Sequence, residues 1–369
     1  VAHVFTDMRS GSFVEVLAKA MDNDKYEVCS IFLDADEQEF HRELRTKGLE
    51  IHVIRFSERP ELPLAIWRLR RLFKKLRPDI VHTHLVNGSL AGLIAAKLCG
   101  IKRRVSFRHH SNEAHIYFPH AVYYDRVINN LSKRIAANTK MTADILTEME
   151  GVEQDKVRVI NYGFDLTSYN RAENDIDALK VRYEIKDSYP VIGVVSRFVH
   201  WKGVQHIIPA FARLLKDFPD AKLVMASAHG TFASEIDVLL KENLDEETYR
   251  TIDFEPNVLA LFKTFDVFVH VPIGGQFEAF GQVYVEALAM SVPSVFTLSG
   301  VASDFIVHEQ NALVVPHCDS DAIYKAIKRL LDEPELRRKL VANGLRDVFE
   351  RFNSDRFGIQ LDAFYSSLG

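Results

Sequence analysis

The stretch VIGVVSRFVHWKGVQHIIPAFARLL, residues 191–215, decides the fold. Its apolar run Val191–Val195 is short and nearly continuous, as in a strand covered on both faces. Arg197 to Gly203 is a polar turn with Lys202–Gly203 at its end. Val204 onward repeats apolar residues at helical spacing. A fully buried strand feeding a helix through a short turn is the unit of a parallel α/β sheet.

The same grammar runs through the whole chain. In the first half the strand candidates are Val1–Asp7, Glu27–Asp34, Glu50–Phe56, Asp79–His84, Arg104–His109, Arg134–Asn138 and Val157–Asn161. In the second they are Val191–Arg197, Lys222–Ala226, Thr251–Phe254, Val267–Val271, Ser294–Thr297 and Ala312–Val315. Helical segments such as SFVEVLAKAM and SLAGLIAAKL lie between them. Strand–helix alternation of this kind means α/β, here twice over. The pattern loosens over Asp165–Tyr189, which reads as the linker. The expected organisation is a domain over 1–168, a second over 169–346, and a long aromatic-rich helix near the C-terminus, 347–369, packing back on the first domain.

With 369 residues, 47% hydrophobic and 26% charged, the chain has the composition and length for two globular domains. Three scattered cysteines without a CxxC pair exclude a disulfide framework and a cysteine zinc site, and fit a reducing compartment. No run of about 18 apolar residues offers a membrane span, and no basic-plus-apolar leader precedes the first strand. A cytoplasmic location, with peripheral contact on the inner face of the plasma membrane, is the expectation.

The net charge of −5 hides an asymmetry. Residues 1–170 carry 25 basic against 22 acidic groups, and 171–369 carry 21 against 29; within 55–140 the balance is 17 against 5. The basic segment WRLRRLFKKLR, Trp67–Arg77, reads as an amphipathic helix. It is either a solvated face over a buried Trp/Leu/Phe stripe or a surface for anionic lipid.

In open parallel sheets ligands bind beyond the carboxyl ends of strands, at helix N-termini. Two segments in the second half have that placement. After the strand around Val191, Arg197 and Lys202 flank a strand-to-helix turn. Two cations beside a helix N-terminus suit a diphosphate without metal. After VFVHVPI comes the loop GGQFEAFG, then a helix from Gln282. Glu278 sits in the loop. Glu286 lies one turn into the helix among apolar neighbours. Backbone N–H groups near Phe280, Gly281, Gln282 and Val283 make an anion site. A carboxylate early in a helix also complements its dipole, so Glu286 has a purely structural reading. Yet no Lys or Arg stands within four residues, and a buried carboxylate needs donors. A vicinal diol would supply two.

Taken together, SRFVHWKG, FEPNV, FDVFVHVP, EAFGQVYVE, ALAMSVPSVFTLSG and NALVVP resemble the retaining nucleotide-sugar glycosyltransferases of family 4, with the GT-B fold. The resemblance covers about 180 residues of the second half; DIVHTH and INYGFD carry it more weakly in the first. It implies two Rossmann-like, doubly wound parallel-sheet domains facing a central cleft, with the donor, a UDP- or GDP-sugar, on the C-terminal side. It implies that Arg197 and Lys202 bind the diphosphate, Glu278 holds sugar hydroxyls, amides around Phe280 and Gly281 contact sugar and phosphate, and Glu286 takes the ribose diol. Phe254 and Glu255 would lie against the base. Arg197, Lys202, Glu278 and His109 would carry catalysis. Ala279 replaces a usual glycine, and Ser291 and Ala312 stand where glycine is common.

In the first half, VFTDMRSGSFVEVL resembles the family's glycine loop near the donor phosphate, through Gly11, though the double glycine is absent. It is not GxGxxG, which argues against a dinucleotide oxidoreductase. VSFRHHSNEAH runs a strand into Arg108, His109 and His110. The resemblance puts His109 near the transferring carbon and the acceptor, with His110 next to it; Arg108, by its charge, is a candidate contact for an acceptor phosphate. His82 and His84 alternate on one strand face, where packing explains them. Asp34–Asp36 reads DAD, the triplet of metal-dependent transferases, but beside a helix start that favours acids on its own. No metal and no cofactor are expected. The acceptor is expected to be a glycan or a lipid diphosphate-linked species, in bacterial surface polysaccharide assembly, with no nucleic-acid partner. The rivals are a GT-B-fold epimerase of nucleotide sugars and a non-catalytic subunit that binds them.

Overall fold

The structure is a computed structural model and describes residues 1–6, 8, 10–117, 119–167, 169 and 175–369. Contacts divide the chain into two compact units, 1–164 with 352–369, and 165–351.

The first unit holds a seven-stranded parallel sheet: β1 (Ala2–Thr6), β2 (Cys29–Asp34), β3 (Glu50–Arg55), β4 (Ile80–His84), β5 (Arg103–Arg108), β6 (Arg134–Ala137) and β7 (Val157–Val159). Their order across the sheet is 3-2-1-4-5-6-7. All thirteen strand candidates exist, each at or within a few residues of its expected place. Asp7, the expected end of the first, lies outside the described residues. Every residue of β1 and β4 is buried, as in strands covered on both faces, although His3, His82 and His84 are among them. Ala2 pairs with Cys29 on one side and Val81 on the other, so the chain reverses its winding between β1 and β4.

The second unit repeats the plan with six parallel strands: β8 (Val191–Val195), β9 (Lys222–Ala226), β10 (Tyr249–Ile252), β11 (Val267–His270), β12 (Ser294–Phe296) and β13 (Leu313–Val314), in the order 10-9-8-11-12-13. Its winding reverses between β8 and β11. The core is built of Val, Ile, Leu and Phe from the sheet and from the helix Val204–Leu214, whose Val204, Ile207, Ile208, Phe211 and Leu214 are buried at helical spacing.

Three expectations are corrected. The linker reading of 165–189 lies partly outside the described residues, but Ile176–Arg182 is a helix with Leu179 buried. The apolar spacing of Ile176 and Leu179 was masked by polar neighbours. The long C-terminal helix is two, Pro334–Arg351 and Ser354–Ser366. Asn353 restarts the helix by accepting the Arg356 N–H at 2.8 Å, and the Phe352 carbonyl accepts the Phe164 N–H at 2.8 Å. The second helix packs on the helix Ser12–Ala20; a Cβ at Gly358 would sit 2.0 Å from the Ala20 carbonyl oxygen, so only glycine permits that approach. In the helix Leu62–Leu76 the buried stripe is Ala65, Leu69 and Phe73, whereas Trp67 points outward and is 49% exposed.

Candidate functional site

The second unit gathers its chemistry at the reversal between β8 and β11, where two loops leave the carboxyl edge of the sheet. Each loop ends in a glycine with positive φ and an uncapped helix. Gly203, φ 76°, starts Val204–Leu214; Gly281, φ 80°, starts Gln282–Ala289; no side chain caps either N-terminus. A Cβ on Gly203 would lie 1.9 Å from the Val271 carbonyl oxygen, so the β8 turn is pressed against the end of β11 and tolerates no other residue. The Ile273 N–H donates to the Trp201 carbonyl at 3.1 Å and ties the two loops together.

Between these helix starts, Lys202 donates from Nζ to the Glu278 carboxylate, and His270 Nε2 lies 3.0 Å from the same oxygen. Glu278 is 6% exposed. Burial alone would raise its carboxyl pKa, but Lys202 and His270 outweigh it and hold the group at about 2. His270 is pulled down by burial, against the pull of Glu278, and its Nδ1 has no hydrogen-bond partner among the described residues. The Glu278 loop is clamped behind: Glu278 N–H donates to Ser299 Oγ at 3.0 Å, Ser299 Oγ donates to the Gly274 carbonyl at 2.9 Å, and Val301 N–H donates to the Phe280 carbonyl at 2.9 Å.

Glu286 faces different surroundings. It lies in the second turn of its helix, beyond the reach of first-turn dipole stabilisation. Among the described residues it has no hydrogen bond and no ion pair. Burial pushes its carboxyl up to about 7, and the phenol of Tyr169 is close enough to feel its charge. Arg197 is exposed at the start of the turn after β8, without a carboxylate partner among the described residues. Phe280 is buried, Gln282 is exposed and Phe254 is 78% exposed.

Glu255 is engaged within the protein. Its carboxylate accepts from the Tyr183 hydroxyl, from Arg182 and from the Asn257 N–H at 2.8 Å, so it braces a turn rather than facing solvent. Ser291 adopts φ 61°, a left-handed conformation that explains why glycine suits this position. His270 and Ser299 were missed from the sequence. A histidine closing the apolar run VFVH was the one available signal.

The first unit holds the remaining candidates. Gly11 starts the helix Ser12–Ala20 with φ −86°, an ordinary conformation, and a Cβ there would meet only the Leu44 side chain. Arg108 is 4% exposed and pairs with Glu150 through both terminal nitrogens, at 2.8 and 2.7 Å, with Asp125 at 3.4 Å and Asn129 at 3.2 Å. A buried guanidinium needs partners inside, and Glu150, Asp125 and Asn129 supply them, which weighs against its reading as an acceptor contact. His110 leans on Asp125 at 3.1 Å. His109 has both ring nitrogens engaged, Nδ1 with the Tyr162 hydroxyl and Nε2 with His84 Nδ1 at 3.0 Å.

The chain matches two family models, "Glycosyl transferases group 1" over residues 175–347 and "Glycosyltransferase Family 4" over residues 10–168. Among curated proteins it is similar to the capsular polysaccharide biosynthesis glycosyltransferase CapM of Staphylococcus aureus, 24% identical over 318 residues, covering 82% of this chain and 80% of CapM. It is also similar to the N-acetyl-alpha-D-glucosaminyl L-malate synthase of Bacillus anthracis, 23% identical over 295 residues, with 78% and 74% covered. Among solved structures, Anabaena HepE in complex with UDP and glucose superposes with a TM-score of 0.83 at 18% identity, over 99% of each chain. A glycosyltransferase from Rickettsia africae superposes with 0.82 at 18% identity, over 100% and 97%.

Proposed function

We propose that this chain, which belongs to the family 4, group 1 glycosyltransferases and has their GT-B fold, moves a sugar from a nucleoside diphosphate sugar to a glycan or lipid-linked acceptor with retention at the anomeric carbon. One observation carries the reading: Lys202, Glu278 and His270 converge at the β8/β11 reversal beside two uncapped helix N-termini. The uncapped N–H groups, with Lys202 and Arg197, supply positive potential for a diphosphate, and it grows in value as charge builds on the leaving group. Metal is not required by that arrangement. Glu278, held ionised, accepts hydroxyls of the sugar. Glu286, with no donor among the described residues, accepts the two ribose hydroxyls of the nucleoside. UDP is the donor nucleotide we favour, because HepE was crystallised with UDP and glucose.

The first unit takes the acceptor. A bacterial surface polysaccharide is the product class we favour, in line with what CapM is named for. No helix among the described residues is long and apolar enough to cross a membrane. The helix Leu62–Leu76 instead offers a peripheral surface. It carries Arg68, Arg70, Arg71, Lys74 and Lys75 with no acid, and exposes Leu64 and Trp67, with Arg71 stacked 4.8 Å over the Trp67 ring. Cations with an outward tryptophan suit an anionic bilayer.

Calorimetric titration of UDP, GDP, ADP and their sugars without metal tests the donor site. One nucleotide should bind tightly, and Lys202→Ala should abolish it. Binding of none by the unaltered protein would overturn the assignment. Product NMR on a transferred sugar then reads retention from the anomeric coupling. Sedimentation with vesicles containing an anionic lipid tests the surface: Trp67→Ala with Lys74→Glu should lose the binding, and no binding by the unaltered protein would remove the membrane from the reading.

A further inference from the structure

The two oxygens of the Glu278 carboxylate have unlike surroundings. Oε1 carries both protein contacts, Lys202 Nζ and, at 3.0 Å, His270 Nε2. Oε2 has no hydrogen bond among the described residues, although the side chain is only 8% exposed. A sheltered carboxylate oxygen wants a donor, so the open one is the part of the group that remains for a ligand.

The geometry also places the proton on His270. Glu278 is held ionised by its two neighbours, so it accepts and does not donate. A ring nitrogen 3.0 Å from it must carry the hydrogen, since otherwise two lone pairs face each other. Nδ1 is buried with no hydrogen-bond partner among the described residues. A second proton there would be an orphaned donor on a buried cation, and burial disfavours the charged ring. His270 is therefore neutral, with its one hydrogen on Nε2.

That donor is rigidly mounted. His270 closes β11, and its carbonyl accepts the Thr297 N–H at 3.3 Å, just past β12. The Thr297 carbonyl accepts the Tyr284 hydroxyl at 3.1 Å. The fully buried Tyr284 ring stands edge-on to the His270 ring, with centroids 4.9 Å apart at 79°. Strand, strand and helix thus close a ring of contacts around the imidazole. Lys202 is a donor of another kind. It reaches Glu278 on a flexible four-carbon stem. Its ammonium has three N–H groups, so it can serve a diphosphate without letting go of Glu278. One contact on such a stem leaves the carboxylate free to turn about its last bond, and a second, fixed donor on the same oxygen stops the turn.

We propose that His270 is a positioning residue: its Nε2–H pins Oε1 of Glu278, so that Oε2 is kept for a hydroxyl of the donor sugar. This rests on the reading of Glu278 as the sugar contact.

Long-range ¹H–¹⁵N correlation spectra of histidine-labelled protein, without ligand, read the proton. At neutral pH His270 should show a protonated Nε2 and a bare Nδ1, and a proton on Nδ1 overturns the proposal. Calorimetry with UDP and UDP-glucose reads the role, in His270→Leu, His270→Gln and His270→Asn. A glutamine amide N–H reaches the place of Nε2, whereas an asparagine amide reaches only that of Nδ1. The leucine and asparagine variants should bind UDP as the parent does. Their affinity for UDP-glucose relative to UDP should fall roughly ten- to hundredfold, the worth of a hydrogen bond to a charged group. Glutamine should restore the ratio. A packing role would weaken UDP and UDP-glucose alike and would not separate glutamine from asparagine, so either pattern overturns the proposal. If the leucine variant fails to fold, the glutamine and asparagine pair still decides. UDP binding with an unchanged ratio in the variants refutes this role alone. Failure of the unaltered protein to bind UDP removes the UDP-site reading, and this role with it.

Discussion

Replacing Glu286 with glutamine should make the unliganded protein more stable and a worse nucleotide binder, and both effects should follow one titration. The carboxyl is displaced from its ordinary 4.5 to about 7 by burial, with no donor among the described residues to offset it. At 1.36 kcal/mol per pH unit of displacement, keeping it ionised costs the fold at most about 3 kcal/mol, less what water at this half-buried position returns. Below pH 4.5 the group is protonated in folded and unfolded chains alike, and the cost is absent. Between pH 4.5 and 7 the folded chain holds a proton that the unfolded chain has lost, so stability falls as pH rises. Above 7 the full cost is present. Glutamine has the same shape and no charge. Calorimetric melting should therefore show no difference at pH 4 and a gain of up to about 3 kcal/mol at pH 8. At roughly 2–4 °C per kcal/mol for a unit of this size, that is at most about 6–12 °C on the transition of the second unit.

Nucleotide binding should carry the opposite sign. A ribose diol donates to both oxygens of a carboxylate, whereas a carboxylic acid accepts more weakly and at its carbonyl oxygen only. Affinity should fall below pH 7 toward that of the neutral form and level off above 7, with a proton released on binding near pH 6.5. Glutamine should weaken binding by roughly ten- to hundredfold at pH 8, the worth of a hydrogen bond to a charged group, and remove that pH dependence. A variant less stable than the parent at pH 8 would show that the carboxylate has a protein partner and would refute the reasoning.

Lys202→Met strands the Glu278 carboxylate with His270 alone. Breaking a buried pair costs roughly 3–5 kcal/mol, and urea titration should show that Lys202→Met with Glu278→Gln recovers most of it. Glu278 is held well below its ordinary value, so the parent should lose stability as pH falls from 4.5 toward 2, and the double variant should lack that component. Ser291→Gly relieves a left-handed serine, and thermal melting should show a gain of about 1 kcal/mol. Arg108→Met should destabilise the first unit by roughly 3–5 kcal/mol, because it leaves Glu150 and Asp125 buried without their cation. Its survivors should keep the acceptor KM of the parent; a large rise in KM with unchanged stability would return Arg108 to the acceptor.

The sequence by itself determined the layered architecture. A strand buried on both faces must be apolar along its length and a helix covering it must be apolar on one side, so all thirteen strands were visible from local pattern. Turn chemistry also placed Lys202 after β8, and Glu278 and Gln282 after β11, since glycines and strand ends are local features. What local pattern does not encode is which loops meet. The parallel pairing of β8 with β11, distant in sequence, brings Lys202 onto Glu278 and His270 beneath both. The same holds for His3 and His84, from two strands, and His109, just past a third, and for Arg108, whose partners Asp125 and Glu150 follow it on later segments. Tertiary structure decided whether each polar group was free for a ligand or already satisfied. Satisfaction of a buried charge or ring nitrogen depends on neighbours in space, and composition and spacing along the chain do not record them.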